Sequence, residues 1–302
     1  MYTSTCSLQE IKNFYNSDTV IHNFNDILIG RWHSGLSNQK NGQEAMELQV
    51  AKYADLERVN HNGGLVLDFG SGVGTTICFL AEKYPNIRFI GLNISPKQVA
   101  MATSLAKSKN LLPRVKFMLY DGYKLPFSKN TFDAIIFFES ICHVPHKRFL
   151  FQQLYQVLKP LGKIAGEDWN TTNRINRQIY ERYILPVKQK FAIPSMLSLS
   201  QYDDLLTDAG FDVSHYGDLH ESIDSFVSEY DDTYEPKIID LVYAIKDVIT
   251  NFVYRLKNNV NNGNKINMRL YDKLKTGYFD LNIAYQKKYI TIGFFCAEKP
   301  KM

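Results

Sequence analysis

Cysteine is scarce in this sequence, and the residues present are scattered: Cys6, Cys78, Cys142 and Cys296. They form no C-x-x-C pair and share no spacing with histidine that is typical of a metal site. A disulfide framework and a structural zinc site are therefore not expected. The thiols are expected to be reduced, as in a cytosolic protein.

Long apolar runs and dense blocks of one charge are also missing. No stretch approaches the roughly 18 consecutive apolar residues of a membrane-spanning helix, and the first residues lack a basic segment followed by an apolar one. The net charge of +4 is spread along the chain, so no nucleic-acid partner is indicated. We expect a cytoplasmic protein without a membrane span.

Aromatic residues, in contrast, are abundant, with 19 Tyr and 19 Phe among 302 residues. The hydrophobic share of 45% and the charged share of 22% are ordinary for a globular protein. The length suits one large α/β domain, or one such domain with an elaborate insertion.

The most informative stretch is Leu-Val-Leu-Asp-Phe-Gly-Ser-Gly-Val-Gly-Thr, residues 65–75. Its apolar start predicts a buried strand, which ends at Asp68 and enters a helix through Gly70, Gly72 and Gly74. Glycines let the backbone turn sharply and approach a ligand, towards which the N–H groups of the helix start point. The spacing differs from the G-x-G-x-x-G of dinucleotide sites. An acid before the first glycine would repel a pyrophosphate but suits a ligand with an ammonium group.

This stretch resembles motif I of the class I S-adenosylmethionine-dependent methyltransferases, Asp/Glu-x-Gly-x-Gly-x-Gly. Residues 91–98, Gly-Leu-Asn-Ile-Ser-Pro-Lys-Gln, are similar to the corresponding segment of sterol, tocopherol and prenyl diphosphate methyltransferases. The resemblance implies S-adenosylmethionine as cofactor, bound by Asp68, Gly70, Ser71, Gly72, Gly74, Asn93, Ile94, Gln98, Asp121, Gly122 and Glu139. Asn93 stands where an acid usually binds the ribose hydroxyls, and Asp121 is expected to take the adenine amino group.

The N-terminal stretch adds two residues to the predicted cofactor site. Residues 29–36, Ile-Gly-Arg-Trp-His-Ser-Gly-Leu, are similar to an aromatic-His-x-Gly element that closes over the cofactor in many small-molecule methyltransferases. We therefore expect His33 and Tyr15 to belong to a lid. The alternative is a surface loop with one buried tryptophan, Trp32.

The alternation of apolar strands and helices predicts an α/β fold with a doubly wound sheet. The resemblance implies a Rossmann-like, seven-stranded, mostly parallel sheet with helices on both faces and an antiparallel pair formed by the last two strands. Within residues 1–62, an N-terminal helical lid, we predict a helix over 8–15 with a capping box from Ser7 to Glu10, and a second helix over 44–60. Residues 63–220 and 288–302 are predicted to form the core. Residues 221–287 are predicted to form a helical cap over the substrate pocket, inserted before the last strand and built mainly from helices over 236–257 and 266–288.

Residues 139–145, Glu-Ser-Ile-Cys-His-Val-Pro, resemble a segment of sterol C-methyltransferases and of sugar O-methyltransferases. Glu139 and His143 are four residues apart, so one helical turn would place both on one side, where either could take a proton. In carbon methylation of an alkene, aromatic rings would stabilise a carbocation that Glu139 deprotonates. In O- or N-methylation, His143 would be the base and Asp168 would orient it. His143 as an ordinary loop histidine is the remaining alternative.

The aromatic-rich cap favours an apolar, terpenoid-like small molecule, and carbon methylation of a prenyl or terpenoid alkene is the leading hypothesis. A diphosphate acceptor would call for Mg²⁺ and cationic partners, for which location alone suggests Arg174, Arg177 and Arg182. A protein that binds S-adenosylmethionine without catalysis stays open, a nicotinamide dehydrogenase less so. Assembly into a homo-oligomer is left open.

Overall fold

The fold is a seven-stranded sheet with helices on both faces, seen in a computed structural model that describes residues 6–27, 33, 42–173, 175–219 and 267–301. The strands are β1 (Leu65–Phe69), β2 (Arg88–Asn93), β3 (Val115–Leu119), β4 (Phe132–Phe138), β5 (Leu158–Thr171), β6 (Asp212–Asp218) and β7 (Ile290–Glu298). Their order across the sheet is β3-β2-β1-β4-β5-β7-β6. The first five strands are parallel, whereas β7 runs antiparallel to both β5 and β6. The predicted sheet, including its antiparallel final pair, is confirmed.

The helices alternate with the strands as the sequence predicts. They are α1 (Leu8–Tyr15), α2 (Asp18–Ile27), α3 (Gly42–Tyr53), α4 (Leu56–Asn62), α5 (Thr75–Lys83), α6 (Pro96–Ser108), α7 (Lys147–Val157), α8 (Arg177–Ile179), α9 (Leu185–Lys190), α10 (Leu199–Ala209) and α11 (Met268–Gln286). A 3₁₀ turn covers Ile141–His143, and a π turn, Tyr180–Ile184, joins α8 to α9. The capping box from Ser7 to Glu10 is present at the start of α1.

Three apolar clusters hold these elements together. One face of the sheet packs against α3 to α6, and the other face packs against α7 and α10. A third cluster joins α1, α9 and α11, with Ile11, Phe191 and Leu274 among its members. Because α1 belongs to this third cluster together with Cys142 and Trp169, it packs at the sheet edge at which the parallel strands end.

Two boundaries differ from those predicted. The helix expected over 44–60 is two helices, because Asp55 takes a left-handed conformation (φ 57°) between α3 and α4. The apolar residues between Lys163 and Trp169 predict a strand over that range, whereas β5 begins at Leu158, so Pro160 lies inside it. The strand is longer because Leu158 pairs with Phe132 of β4. A contact between two strands leaves no sign in the local sequence pattern.

The division into lid, core and cap stays a prediction. Helix α11 lies in the predicted cap range, whereas the predicted helix over 236–257, Trp32 and Arg174 lie outside the described residues. Within the described ranges, no helix combines the length and the apolar character that crossing a bilayer requires.

Candidate functional site

The glycine loop after β1 has the backbone that its sequence predicts. Gly70, Gly72 and Gly74 all have positive φ values of 88°, 52° and 85°. A Cβ on Gly74 would lie 2.6 Å from the Phe117 ring, so this position tolerates no side chain. A Cβ on Gly72 would meet no protein atom within 4 Å, and Gly72 lines the neighbouring cavity. The loop therefore offers bare backbone to a ligand, as the predicted cofactor requires.

Asp68, at the end of β1, lies beside this loop and is 2% exposed. Burial, with a smaller contribution from nearby Glu47, raises the pKa of its carboxyl to about 8. A ligand's ammonium group placed here would favour the ionised carboxylate and so offset the free-energy cost of burying its charge. Recognition of an ammonium group by Asp68 stays a prediction.

His33 reaches the same loop through a buried cluster. Its Nε2 lies 3.1 Å from Glu47 Oε1, which also accepts a 2.7 Å hydrogen bond from the Thr76 hydroxyl at the start of α5. The His33 ring packs on Phe138 with centroids 4.9 Å apart. His33 lines a small recess together with Asp68, Gly70, Ser71 and Gly72. His33 thus lies beside the glycine loop, and its place in a lid over the cofactor stays a prediction. Glu47, whose carboxyl contacts both His33 and Thr76, was not predicted, because no local sequence pattern distinguishes one functional glutamate on a helix from an ordinary one.

A larger, open cavity lies beside the recess, at the carboxyl ends of the strands, and its empty space is about 950 Å³ including the part open to solvent. Its described lining is Leu8, Ile11, Tyr15, Phe69, Gly70, Gly72, Leu92, Asn93, Ile94, Gln98, Tyr120, Gly122, Phe138, Glu139, Ser140, His143, Val144, Pro145, Trp169 and Phe191. The structure thus brings together predicted residues from five separate segments. Most of the remaining lining is apolar or aromatic.

Asn93 and Gln98 form a network that ties β2 to α1. The Asn93 amide donates to the Gly72 carbonyl and to Gln98 Oε1, at 2.9 and 2.8 Å, and its oxygen accepts the Ser95 N–H. The Gln98 amide donates to the Tyr15 carbonyl at 2.7 Å. Both Asn93 donors are thus used within the protein, so a ribose hydroxyl would have to donate to its oxygen.

Asp121 differs from the expectation for adenine recognition. It is exposed, is absent from the described cavity lining, and accepts the N–H groups of Tyr123 and Lys124 on Oδ1. These hydrogen bonds lower the pKa of the carboxyl, the Tyr123 bond most. This is the geometry of a turn cap, and the contact of Asp121 with adenine stays a prediction. Gly122 does line the cavity, beneath Leu8 of α1.

Glu139 and His143 both reach the cavity, on the two sides of the turn that follows β4. Glu139 has a φ of 41°, unusual for a residue other than glycine. His143 Nδ1 lies 3.3 Å from the Ala192 carbonyl, and Nε2 lies 2.6 Å from the Tyr15 hydroxyl. Because a carbonyl only accepts, Nδ1 carries the proton and Nε2 accepts from Tyr15. Burial lowers the pKa of His143 to about 4, so the ring is neutral near pH 7.

The predicted orientation of His143 by Asp168 involves no direct hydrogen bond between the two side chains. Asp168 is fully buried, and its carboxyl accepts from the Cys142 N–H at 2.7 Å, the Trp169 N–H at 2.8 Å and the Tyr202 hydroxyl at 3.0 Å. Successive side chains of a strand face opposite sides of the sheet. Trp169 therefore lines the cavity, while Asp168 supports the turn from beneath. Strand alternation was the signal that could have directed attention to Trp169.

Cationic residues are absent from the described lining of the cavity. The Arg177 side chain is 85% exposed and pairs with Glu181, and Arg182 lies over the Tyr183 ring. The described ranges also contain no cluster of three or more His, Cys, Asp or Glu side chains that could hold a metal ion. The described residues therefore do not fit a magnesium-bound diphosphate.

Comparisons with known proteins agree with this geometry. Residues 66–162 match the sequence family described as "Methyltransferase domain". A sterol 24-C-methyltransferase of Saccharomyces cerevisiae is 32% identical over 179 residues, 59% of this chain and 46% of that enzyme. The chain thus spans about half the length of this curated relative.

Two solved structures share the fold over almost the whole chain. A putative sarcosine dimethylglycine methyltransferase from Galdieria sulphuraria has a TM-score of 0.74 at 19% identity, covering 96% of this chain and all of that one. The [4+2]-cyclase SpnF has a TM-score of 0.73 at 18% identity, covering 99% and 98%.

Proposed function

We propose that this chain is a class I S-adenosylmethionine-dependent methyltransferase that methylates a small apolar acceptor, with carbon methylation of a prenyl or terpenoid alkene as the favoured reaction. The match of residues 66–162 to a methyltransferase domain and the similarity to a sterol 24-C-methyltransferase support the proposal. The observation that carries the proposal is the cavity lining. It combines aromatic rings with one carboxyl group, Glu139, and has no Lys or Arg among its described residues. Such a site suits a positive charge that develops on an otherwise apolar molecule.

The residues divide the work between the two ends of the cavity. Gly70 and Gly72 offer bare backbone, Asp68 lies where an ammonium group would be recognised, and Asn93 lies at the end of β2. When bound, S-adenosylmethionine supplies an electrophilic methyl group on a sulfonium. Tyr15, Trp169 and Phe191 would exclude water and stabilise positive charge on the acceptor by cation–π contact.

Glu139 is the proposed base. In alkene methylation the double bond's electron pair would form the new C–C bond while the bond between the methyl group and the cofactor's sulfur breaks. A neutral sulfide would leave, and the positive charge would pass to a carbocation on the acceptor, which must lose a proton to restore neutrality. Glu139 is the only carboxyl among the described lining residues. It would take that proton on a carboxylate oxygen, completing the reaction. The relationship to a sterol C-methyltransferase supports this assignment.

A specific contact favours a second candidate, O- or N-methylation. The Tyr15 hydroxyl donates to His143 Nε2 at 2.6 Å, so a hydroxyl or amine acceptor could pass its proton to the neutral imidazole if it displaced Tyr15. The lowered pKa of His143, about 4, makes the ring a weak base. We therefore rank this reaction second. Binding of the cofactor without methyl transfer is the third candidate, since one protein with this fold is described as a cyclase.

The test uses S-adenosylmethionine with a trideuterated methyl group and a panel of prenyl alcohols, terpenoid alkenes, sterols, phenols and amines. We compare the wild type with Glu139→Gln, and use Glu82→Gln as the matched control because Glu82 pairs with Lys109 on the protein surface. Mass spectrometry detects label transfer, NMR locates the label, and calorimetry measures cofactor affinity separately. The proposal is supported if the wild type transfers the label to a carbon atom, and if Glu139→Gln loses this transfer but keeps its affinity for the cofactor.

Other outcomes have distinct meanings. Label on oxygen or nitrogen, lost in His143→Gln, would replace carbon methylation by the second candidate. Cofactor binding without label on any acceptor would favour the third candidate. Absence of cofactor binding would contradict all three.

A further inference from the structure

Lys147, the first residue of α7, is a buried lysine with an unusual set of partners. It is 4% exposed. Its Nζ donates to the carbonyls of Cys142, Val144 and Ser195 at 3.0, 2.9 and 2.8 Å, and to the Ser195 hydroxyl at 2.8 Å. An ammonium group has three protons, so these four oxygens use its full donor capacity.

These acceptors belong to the two segments that hold His143. Cys142 and Val144 are its neighbours in the chain. Ser195 follows Ala192, whose carbonyl accepts the proton of His143 Nδ1. The Lys147 ammonium group thus connects the backbone on either side of His143 to the segment whose Ala192 carbonyl selects the Nδ1–H tautomer.

A carboxylate completes the arrangement from the other side. The N–H of Cys142 donates to Asp168, while its carbonyl accepts from Lys147. The buried side chains of Lys147 and Asp168 therefore hold the peptide groups on the two sides of Cys142, directly before His143. Charge-assisted hydrogen bonds of this kind are about twice as strong as neutral ones, so they fix the turn more tightly than packing alone.

We propose that Lys147 is the positioning residue for His143, fixing the orientation of the ring and its Nδ1–H tautomer. The relevance of this role to turnover rests on the proposed methyltransferase function. The positioning itself does not. It depends only on contacts within the protein.

The electrostatic surroundings agree with this role. The groups near the ring are Tyr15 from α1, Glu139 and Cys142 from its own turn, Asp168 from β5, Lys147 from α7 and, next to Lys147, Lys188 from α9. Burial is the main reason that the pKa of His143 falls to about 4, and the Lys147 charge acts in the same direction. Burial also lowers the pKa of Lys147 to about 8, so it is mostly charged at pH 7.

The experiment is an NMR titration of the full chain with ¹⁵N-labelled imidazoles. The sequence has seven histidines, and the His143 signals are assigned by their loss in His143→Gln. In the wild type we expect the Nδ1–H tautomer, neutral down to about pH 4. In Lys147→Met we expect mixed tautomers, because the fixed frame is lost, and a modest rise in the pKa of His143, because the repelling charge is lost while the ring stays buried.

Lys188→Met is the matched control. Lys188 is also buried and has a pKa of about 8, but its Nζ donates to the Tyr180 hydroxyl rather than to the turn. We expect its His143 signals to match the wild type. A folded Lys147→Met with the wild-type tautomer and pKa overturns the proposal, as does an equal change in both variants.

A second measurement applies if Lys147→Met does not fold. Raising the pH through about 8 removes the Lys147 charge in the intact protein, and the His143 ¹⁵N shifts should then move. Because Lys188 and Asp68 titrate in the same range, the titration is repeated in Lys188→Met and Asp68→Asn. Shifts that stay constant in all three proteins overturn the proposal.

Turnover links the role to the reaction. If the second candidate, O- or N-methylation with His143 as the base, holds, Lys147→Met lowers kcat while cofactor affinity stays at the wild-type value. If the wild type transfers no methyl group, the proposed function fails and the NMR result still decides the role of Lys147.

Discussion

The buried carboxyl group of Asp68 predicts that cofactor binding is coupled to proton release. With a pKa of about 8, Asp68 is mostly protonated at pH 7 when the cofactor is absent. Pairing with the cofactor's ammonium group requires the ionised form. At about pH 7, ionising Asp68 costs about one pKa unit, or ~1.4 kcal/mol, which weakens binding about tenfold.

The predicted pH dependence has a maximum. Below about pH 8, affinity falls about tenfold per unit because Asp68 must lose a proton, and an α-amino group itself becomes neutral above about pH 8. Affinity should therefore be greatest near pH 8. At about pH 6.5, binding should release about one proton per cofactor molecule.

Calorimetry in buffers of different ionisation enthalpy measures this release directly. In Asp68→Asn we expect no release from this group, no loss of affinity towards acid pH, and binding about ten- to a hundredfold weaker at pH 8, because a charge-assisted hydrogen bond is lost. Asp208→Asn is the control, since Asp208 pairs with Arg148 at the surface. Equal proton release by the wild type and Asp68→Asn would refute the reasoning.

Stability without cofactor provides a second readout of the same group. The folded-state pKa of Asp68 lies above its ordinary value of 3.8, so the folded protein binds this proton more tightly than the unfolded chain. The resulting stabilisation is fully present below about pH 4 and is lost as the pH rises through about 8. Asp68→Asn should lack this decline in thermal denaturation.

Two further predictions concern the lid helix and the glycine loop. Tyr15→Phe removes the hydroxyl that donates to His143, so the free energy of opening α1 should fall by ~1 kcal/mol and amide exchange over Leu8–Tyr15 should be about fivefold faster. The control is Tyr123→Phe, because Tyr123 is exposed. Equal exchange in both variants would contradict the role of the contact between Tyr15 and His143. Gly74→Ala should lower the free energy of unfolding by more than ~1 kcal/mol in urea denaturation, because its φ is 85° and the new Cβ would overlap Phe117. Gly63→Ala has a similar φ of 71° without close contacts, so an equal loss in both variants would show that overlap is irrelevant.

Much of the site was predictable because buried strands and their ends have local signatures. Asp68, Asn93 and Glu139 each follow an apolar run, and parallel strands bring their carboxyl ends to one edge. The three glycines predicted their own backbone, since left-handed conformations favour glycine. These features need only neighbours in the chain.

Contacts between distant segments were not predictable in this way. Tyr15 and His143 lie 128 positions apart and still share a 2.6 Å hydrogen bond. Asp168 was assigned to His143 from its place after a strand, but the alternation of side chains in β5 directs it to Tyr202 instead. Glu47 and Lys147 carried no local signal, because an isolated charge on a helix is usually solvent-exposed.

The sequence alone determined the order of strands and helices, the glycine turn and the set of polar groups at one edge of the sheet, because these follow from periodicity and from backbone preferences of single residues. The tertiary structure decided which of those groups meet, which are buried, and therefore which carry a charge. Desolvation depends on every segment packed around a group. For that reason the raised pKa of Asp68 and the neutral, oriented ring of His143 exist only in the folded protein.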